Sequence, residues 1–307
     1  MTQHATAATD YIGRFAPSPT GSLHFGSLLA ALASYLDARS QQGRWLVRME
    51  DLDPPREVPG AADQILHTLE TFGFEWDGPV WYQSQRHPDY QQVLEQLIAT
   101  GAAYGCDCSR SQILLRKSRV YDGYCRQRQP IESDLPLAIR LCVDDETIVF
   151  TDAIQGPQRQ QLATEVGDFV IRRRDGLFAY QLAVVIDDAA QGVNQVVRGY
   201  DLLSSTARQI HLQQQLELPT PSYAHIPILV NAMGQKLSKQ TYASAIDATN
   251  PGPSLYQALQ LLGQQPPESL RQAQAHEILT WGCEHWQLTQ IPRQPHLPES
   301  LLETEHR

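Results

Sequence analysis

The chain has 307 residues, of which 42% are hydrophobic, and a formal net charge of −10. This length allows one large core or two smaller ones, and the composition excludes disorder as the main state. The acidic charge excludes a general nucleic-acid coat, because non-specific binding needs many lysines and arginines against the phosphates. An RNA substrate would have to meet a local basic patch on an acidic body.

Two clusters of basic residues are candidates for such a patch. Each member, taken singly, also fits an ordinary solvated charge. The candidates are Arg110, Arg116, Lys117, Arg119, Arg126 and Arg128, followed by Arg172, Arg173 and Arg174.

The chain shows no targeting or membrane signal. Its first ten residues lack the basic and apolar regions of a signal peptide, and no later stretch is apolar for long enough to cross a bilayer. We therefore expect a soluble cytoplasmic protein with no membrane partner.

The first part of the chain alternates between apolar strands and amphipathic helices. An apolar run at 11–15 predicts a strand, which two prolines then stop. Apolar residues at 28–36 recur every three or four positions and predict a helix. A second strand at 45–49 and a second helix at 65–72, closed by Gly73, complete the pattern. This order predicts a parallel sheet with crossover helices.

The pattern changes at about Tyr104, where cysteines, tyrosines and basic residues replace the alternation. It resumes after Asp175 with predicted strands at 180–186 and 192–198. A helix at 205–216 and a last buried strand at 226–230 come next, and 255–262 is a short helical stretch in the tail.

An α/β domain interrupted by an insertion explains this order better than two independent domains. We predict a Rossmann-like catalytic domain formed by residues 1–103 and 176–235. The inserted domain would comprise residues 104–175, and residues 236–307 would form a lysine loop and a short helical C-terminal region.

Two segments have the composition of phosphate-binding sites. His24 and Gly26 lie at a predicted strand-to-helix junction, where unpaired N–H groups and the helix dipole attract phosphate. Lys236 and Lys239 lie in Gln235-Lys-Leu-Ser-Lys-Gln240, and a flexible lysine suits a triphosphate whose charge shifts during reaction. Taken alone, the histidine also fits a helix cap or core residue, and the lysines fit a solvated turn.

Together these motifs resemble the paired signatures of class I aminoacyl-tRNA synthetases. Further segments make the resemblance specific to glutamyl-tRNA synthetases, and they cover residues 11–240, essentially the catalytic half. The segments are Gly13-Arg-Phe-Ala-Pro-Ser-Pro-Thr-Gly21, Arg48-Met-Glu-Asp-Leu-Asp-Pro-Pro-Arg56, Tyr82-Gln-Ser-Gln-Arg86 and Val197-Arg-Gly-Tyr-Asp-Leu-Leu-Ser-Ser-Thr206.

The resemblance implies an amino-acid pocket suited to glutamate. Two carboxylates and one ammonium call for arginines and a carboxylate in the site. The resemblance gives the α-ammonium to Glu50 and a carboxylate to Arg198; alternatively, Arg14 and Glu50 pair with each other as neighbouring strand ends. The other implied glutamate-binding residues are Arg14, Phe15, Ala16, Pro17, Ser18 and Tyr180. The implied ATP-binding residues are His24, Gly26, Ser27, Lys236 and Lys239, with His24 and both lysines catalytic.

Three positions depart from the family pattern. Ser27 stands where the first signature usually ends in His, and Gln240 where the second usually ends in Ser. Neither removes a phosphate-binding group. Val184 stands where the family has Asn, which puts substrate contacts on that side in question.

The short stretch of chain after the lysine motif suggests the acceptor. Full-length glutamyl-tRNA synthetases continue with large helical anticodon-reading domains, whereas 67 residues come after Gln240 here. The chain thus resembles the glutamyl-queuosine tRNA(Asp) synthetase family, in which glutamate goes to a hydroxyl of the queuosine cyclopentenediol. An anticodon loop exposes its bases to a small protein. The alternatives are a shortened glutamyl-tRNA synthetase that charges a 3′ end, and a catalytically silent tRNA-binding regulator.

The implied reaction has two steps. The glutamate α-carboxylate attacks the α-phosphate of ATP, while Mg²⁺, His24 and Lys239 stabilise negative charge as pyrophosphate leaves. A hydroxyl then attacks the mixed anhydride, and the sequence shows no obvious general base. We expect ATP, L-glutamate and the tRNA(Asp) anticodon loop as partners of a monomer.

Three of the five cysteines lie within twenty positions of one another, at Cys106, Cys108 and Cys125. Three thiolates suit a structural tetrahedral zinc ion if a fourth ligand joins them. The resemblance nominates Tyr121, while Asp122 and Tyr124 are local alternatives. Without a fourth ligand, the three would be buried or free thiols.

Overall fold

The structure, a computed structural model, describes residues 10–116, 120–129, 131, 136–237 and 246–302. Its first part contains a parallel sheet in which β2 pairs with both β1 and β3. The predicted strands and helices between residues 11 and 73 are confirmed. The elements are β1 (Ile12–Phe15), α1 (Phe25–Ser40), β2 (Arg44–Met49), α2 (Ala61–Thr71), β3 (Trp81–Tyr82) and α3 (His87–Ala99).

The middle part of the chain forms small antiparallel sheets. Its elements are β4 (Ala103–Cys106), α4 (Arg110–Leu115), β5 (Ala138–Leu141), β6 (Thr147–Asp152), β7 (Gly156–Gln161), α5 (Leu162–Glu165) and β8 (Phe169–Arg172). β5 lies between β4 and β8, and β6 forms a hairpin with β7. Antiparallel pairing here, between two parallel parts, is the arrangement that an insertion would produce.

The parallel pattern resumes in the third part. Its elements are α6 (Tyr180–Ala190), β9 (Gln195–Gly199), α7 (Leu203–Gln215), β10 (Ser222–Ile226) and β11 (Ile228–Val230). β9 pairs in parallel with β10, with Arg198 opposite His225. Asn194 joins this pair to β1, because its backbone N–H donates to the Ile12 carbonyl at 3.1 Å.

Two predictions for this part need correction. The predicted strand at 180–186 is wrong, because these residues begin the helix α6. A continuous apolar run fits a buried strand or a buried helix, and here the buried stretch continues through Asp188. The predicted strand at 226–230 is interrupted at Pro227, which has no N–H for strand pairing.

The C-terminal part packs against the first helix. It contains α8 (Pro251–Leu261), which confirms the predicted helical stretch, α9 (Ala275–His285) and β12 (His296–Pro298). β12 pairs in parallel with β11. A Cβ atom placed on Gly282 would lie 3.0 Å from Leu36, so α9 and α1 approach closely there. One apolar core therefore joins α1, β2, α8 and α9.

Among the helices of the described residues, none combines the length and the apolar character needed to cross a membrane.

Candidate active site

One cavity of about 650 Å³ lies where β1, β2 and β9 end. Carboxyl ends of parallel strands are the usual place for a ligand in an α/β sheet. Lys239 and Gln240 lie outside the described residues. The cavity wall brings together the other predicted ligand-binding residues: Arg14, Phe15, Ala16, Pro17, Ser18, His24, Gly26, Ser27, Glu50, Tyr180, Arg198 and Lys236.

The His24 turn and the lysine segment meet at one end of this cavity. His24 caps α1, and its Nδ1 accepts a hydrogen bond from the Ser27 backbone N–H at 3.2 Å. A Cβ on Gly26 would lie 3.1 Å from the His24 ring and 3.9 Å from the Leu237 carbonyl, so a larger residue would crowd this end. Lys236 Nζ donates to Asp201 at 2.5 Å. The N-terminus of α1 and a lysine thus line the same cavity, as a phosphate site requires.

Glu50 also lines this cavity, and one of its oxygens accepts no hydrogen bond in the described structure. Its Oε1 is buried and has no hydrogen-bond partner in the described structure, although Arg48 Nη2 lies 3.6 Å away. Burial raises the pKa of the Glu50 carboxyl to about 7, and Arg48 and Arg14 lower it only in part. A buried carboxylate with a vacant acceptor is suited to bind a cation.

Arg14 pairs with Asp188 of α6, and the alternative pairing of Arg14 with Glu50 is not formed. Arg14 Nε lies 3.3 Å from Asp188 Oδ1, and Arg48 Nη2 lies 2.7 Å from the same oxygen. Burial alone would raise the pKa of the Asp188 carboxyl, but Arg14 and Arg48 hold that pKa below its usual value. Arg48 also pairs with Glu50 and Asp187, whereas Asp188 is the one carboxylate that pairs with Arg14 among the described residues.

Arg198 is fixed from several sides by buried partners. Its Nε donates to His225 Nε2 at 2.9 Å, and its Nη2 donates to Thr206 Oγ1 at 2.9 Å and Gln209 Oε1 at 2.8 Å. Its Nη1 donates to the Tyr180 hydroxyl at 3.2 Å. The guanidinium and the phenol therefore present one rigid polar edge to the cavity.

The three predicted cysteines converge in the middle part of the chain. Their sulfur atoms all lie within 4.8 Å of one another. The Tyr121 hydroxyl is 3.5 Å from Cys106 Sγ and 3.8 Å from Cys108 Sγ. A tetrahedral zinc ion with thiolates at about 2.3 Å separates its ligands by about 3.8 Å. The spacing of these four groups fits such an ion.

Known proteins of one enzyme family match this chain. Residues 12–280 match the family of class I tRNA synthetases (E and Q), catalytic domain. The chain is 56% identical to the glutamyl-Q tRNA(Asp) synthetase of Ectopseudomonas mendocina and 55% identical to that of Pseudomonas aeruginosa, in each case over 96% of this chain and 99% of the relative. A crystal structure of a glutamate tRNA ligase from Elizabethkingia meningosepticum, in complex with its amino acid, superposes with a TM-score of 0.78 at 25% identity, covering 94% of this chain and 67% of that one.

The chain belongs to the glutamyl-Q tRNA(Asp) synthetase family. The resemblance inferred from the sequence motifs is thereby confirmed, and so is the class I synthetase fold with its parallel sheet. The roles of single residues in this family member depend on the cavity geometry described above.

The sequence analysis missed the residues that orient the arginines of this glutamyl-Q tRNA(Asp) synthetase family member, directly or through a neighbour. They are Asp187, Asp188, Asp152, His225, Thr206 and Gln209, all buried. One signal was available, because two consecutive aspartates end the apolar run at 180–188, and buried carboxylates require partners. Val184, where the family pattern has Asn, is buried on α6 and does not line the cavity.

The predicted basic clusters are only partly described. Lys117 and Arg119 lie outside the described residues. Arg116 and Arg128 lie over the Tyr124 ring, at 3.4 and 4.8 Å from its centre, and each also pairs with an aspartate. In the second cluster, Arg173 pairs with Asp53 and Asp175, and Arg174 donates to the Asp107 carbonyl. Arg116, Tyr124 and Arg128 together form a cation–π cluster, here called the arginine–tyrosine stack.

Proposed function

We propose that this chain activates L-glutamate with ATP as glutamyl-adenylate and transfers the glutamyl group to queuosine in tRNA(Asp). The buried Oε1 of Glu50, which accepts no hydrogen bond in the described structure, carries the proposal, because it lies in one cavity with Arg14, Arg198 and the His24 turn. These groups match the ammonium and carboxylates of glutamate at one end and the phosphates of ATP at the other. The names of the relatives supply the acceptor.

Each cavity residue has a proposed role in binding. Glu50 binds the α-ammonium, while Arg14 and Arg198 with Tyr180 receive the carboxylates. Residues 15–18 form the wall beside the amino acid, and Gly26 and Ser27 offer the α1 N-terminus to the phosphates. Mg²⁺ arriving with ATP would neutralise phosphate charge.

His24, Lys236 and Lys239 are proposed to stabilise the charge that develops as pyrophosphate leaves. Lys239→Ala is expected to slow adenylate formation sharply and to leave glutamate binding nearly unchanged, because its positive charge is proposed to act on the phosphates and not on the amino acid. ATP–pyrophosphate exchange and glutamate titration measure the two steps separately. Exchange at the wild-type rate would remove Lys239 from the mechanism.

We propose a structural zinc ion held by Cys106, Cys108, Cys125 and Tyr121. Arg140 Nε donates to Cys106 Sγ at 3.2 Å, which supports a thiolate at that position. Protein purified without chelator is expected to contain about one zinc per chain. Cys108→Ser should lose the metal, whereas the matched variant Cys283→Ser, outside the cluster, should keep it. Less than about half an equivalent in the wild type would reject the site.

The tRNA partner is proposed to bind as its anticodon loop, with the arginine–tyrosine stack as a contact. Guanidinium groups bind phosphates and stack on exposed bases. Single exposed ion pairs are worth about 0–1 kcal/mol, so exchanging their aspartates for phosphates costs little.

We also propose that the protein is a cytoplasmic monomer. The proposed domain boundaries lie at 103/104, 175/176 and 235/236.

The test is glutamylation of tRNA(Asp) with and without queuosine, followed by nuclease mapping of the labelled glutamate. We expect label in the anticodon of the queuosine-containing tRNA alone. Label at the 3′ end would instead identify a shortened glutamyl-tRNA synthetase. Binding of tRNA with no label anywhere would indicate a catalytically silent relative.

A further inference from the structure

A buried chain of polar side chains runs from the inserted segment to the glutamate end of the cavity. Asp152, at the end of β6, lies 2.5 Å from His225 Nδ1 through its Oδ2. His225 Nε2 in turn accepts from Arg198 Nε at 2.9 Å. Asp152 and His225 are 1% and 0% exposed, so water does not compete for these hydrogen bonds. Neither residue lines the cavity.

The surroundings of Asp152 fix where each proton lies. Its Oδ1 accepts from the backbone N–H groups of Ile154, Gln155 and His225, at 3.1, 2.9 and 3.1 Å. Its Oδ2 is therefore left to accept from His225 Nδ1–H. Burial lowers the pKa of the His225 imidazole to about 4, although Asp152 opposes this effect. The ring is thus neutral near pH 7, with a lone pair on Nε2 for Arg198.

The hydrogen bonds of Arg198 determine which N–H and O–H donors remain for the substrate. A guanidinium has five N–H donors. His225 takes the one on Nε, Thr206 and Gln209 take the two on Nη2, and the Tyr180 hydroxyl takes one on Nη1. Within the described residues, one Nη1 hydrogen and the Tyr180 hydroxyl hydrogen have no acceptor. Both belong to residues of the cavity wall.

We propose that Asp152 and His225 are positioning residues that aim the free Nη1 hydrogen of Arg198 and the Tyr180 hydroxyl at one carboxylate of glutamate. The inference rests on the proposed function and extends it, because it makes the β6–β7 hairpin of the inserted segment part of amino-acid recognition. Neither residue touches the substrate. Each acts only through the orientation of Arg198.

Asp152→Asn tests the chain of hydrogen bonds with a side chain of the same shape. The three backbone donors hold the amide oxygen in the Oδ1 place, so the amide N–H₂ must face His225 Nδ1. The imidazole then carries its proton on Nε2, where it opposes Arg198 Nε–H. We expect the Kd for glutamate by calorimetry, and the KM for glutamate in exchange, to rise about tenfold or more. The KM for ATP should stay within about twofold of the wild type, because Arg198 does not contact the phosphate end.

His225→Gln and His225→Leu separate positioning from general damage to the core. A glutamine amide can donate to Asp152 and accept from Arg198, so its glutamate KM is expected within about threefold of the wild type. Leucine can do neither and should reproduce the Asp152→Asn defect. Ser34→Ala, which removes a buried hydrogen bond from Trp45 at 3.0 Å that is separate from the Asp152–His225–Arg198 hydrogen bonds, should lower stability without changing the glutamate KM.

A folded Asp152→Asn protein with wild-type glutamate affinity would overturn the inference while leaving the proposed function standing. Equal glutamate affinities of His225→Gln and His225→Leu would overturn it too, even if Asp152→Asn fails to fold. A wild-type chain that binds no glutamate would reject the proposed function, and the inference with it.

Discussion

Glu50 is a buried carboxyl whose charged form is costly without a ligand. Because burial raises its pKa to about 7, the folded protein prefers the protonated form over a range in which the unfolded chain is ionised. The unfolded side chain ionises near pH 4.5, so stability is lost as pH rises from there through about 7. An α-ammonium in the cavity would offset this loss by pairing with the carboxylate.

The pH dependence of glutamate binding follows from this residue. Only the ionised form of Glu50 attracts the ammonium, so we expect the Kd for glutamate to fall about tenfold between pH 6 and pH 8 and then to level off. Titration calorimetry across this range measures the effect. Glu50→Gln should bind much more weakly and show no such dependence.

The stability of Glu50→Gln provides the control for this prediction. A neutral amide removes the cost of the buried charge, so its melting temperature at pH 8 without glutamate should equal or exceed that of the wild type. A variant that melts much earlier would mean that Glu50 is held mainly as a structural partner of Arg48.

Helix α6 shows which part of the fold could not be predicted from local sequence. The run at 180–186 has no polar face, so its period reveals neither a helix nor a strand. Partners distant in the sequence stabilise the helical form of this run. Asp187 accepts hydrogen bonds from Tyr90 at 2.6 Å and from Gln83 at 2.9 Å. Asp188 forms ion pairs with Arg14 and Arg48. Amphipathic helices such as α2, in which Ala61, Ile65 and Leu69 are the buried positions, carry their own periodic signal and were predicted correctly.

The same distinction applies to the site. Residues inside contiguous motifs, such as His24 and Glu50, could be proposed because each motif places them at the end of a strand or the start of a helix. The residues that orient the site come from elements far apart in the chain. Asp152, for example, lies on β6 and supports Arg198 of β9 through His225. No short pattern marks such a pair, so only the folded arrangement reveals it.

Substitutions at position 184 test whether this residue of α6 belongs to the core or to the amino-acid site. Val184→Asn restores the residue type of the wider family, but it would bury an amide at a site that is 1% exposed. We expect a loss of about 1–3 kcal/mol in the free energy of unfolding and no gain in glutamate affinity. Val184→Thr should cost less, since its hydroxyl can bond to the carbonyl of Tyr180 one turn earlier. Urea denaturation compares them, and tighter glutamate binding by Val184→Asn would contradict the placement.

The whole molecule is held together by a core to which both ends of the described chain contribute. Leu259 of α8 is fully buried in the same cluster as Leu32 and Leu36 of α1. Leu259→Ala is expected to lower the free energy of unfolding by about 2–5 kcal/mol. The matched variant Leu301→Ala, at a leucine that is 49% exposed, should change it by less than about 0.5 kcal/mol. Equal urea midpoints for the two would mean that the C-terminal helices pack independently of the sheet.

The arginine–tyrosine stack lies on a chain whose formal charge is −10. A polyanion approaching from solution is repelled by most of this molecule and attracted by a small part of it. Such a field would turn an RNA loop toward one face before any contact forms, and added salt would weaken this guidance. Salt screens the repulsion as well as the attraction, so the contribution of the stack is the difference in association rate between the wild type and a variant without its charges. In Arg116→Gln/Arg128→Gln, stopped-flow association should be slower at low salt and flatter across the salt series.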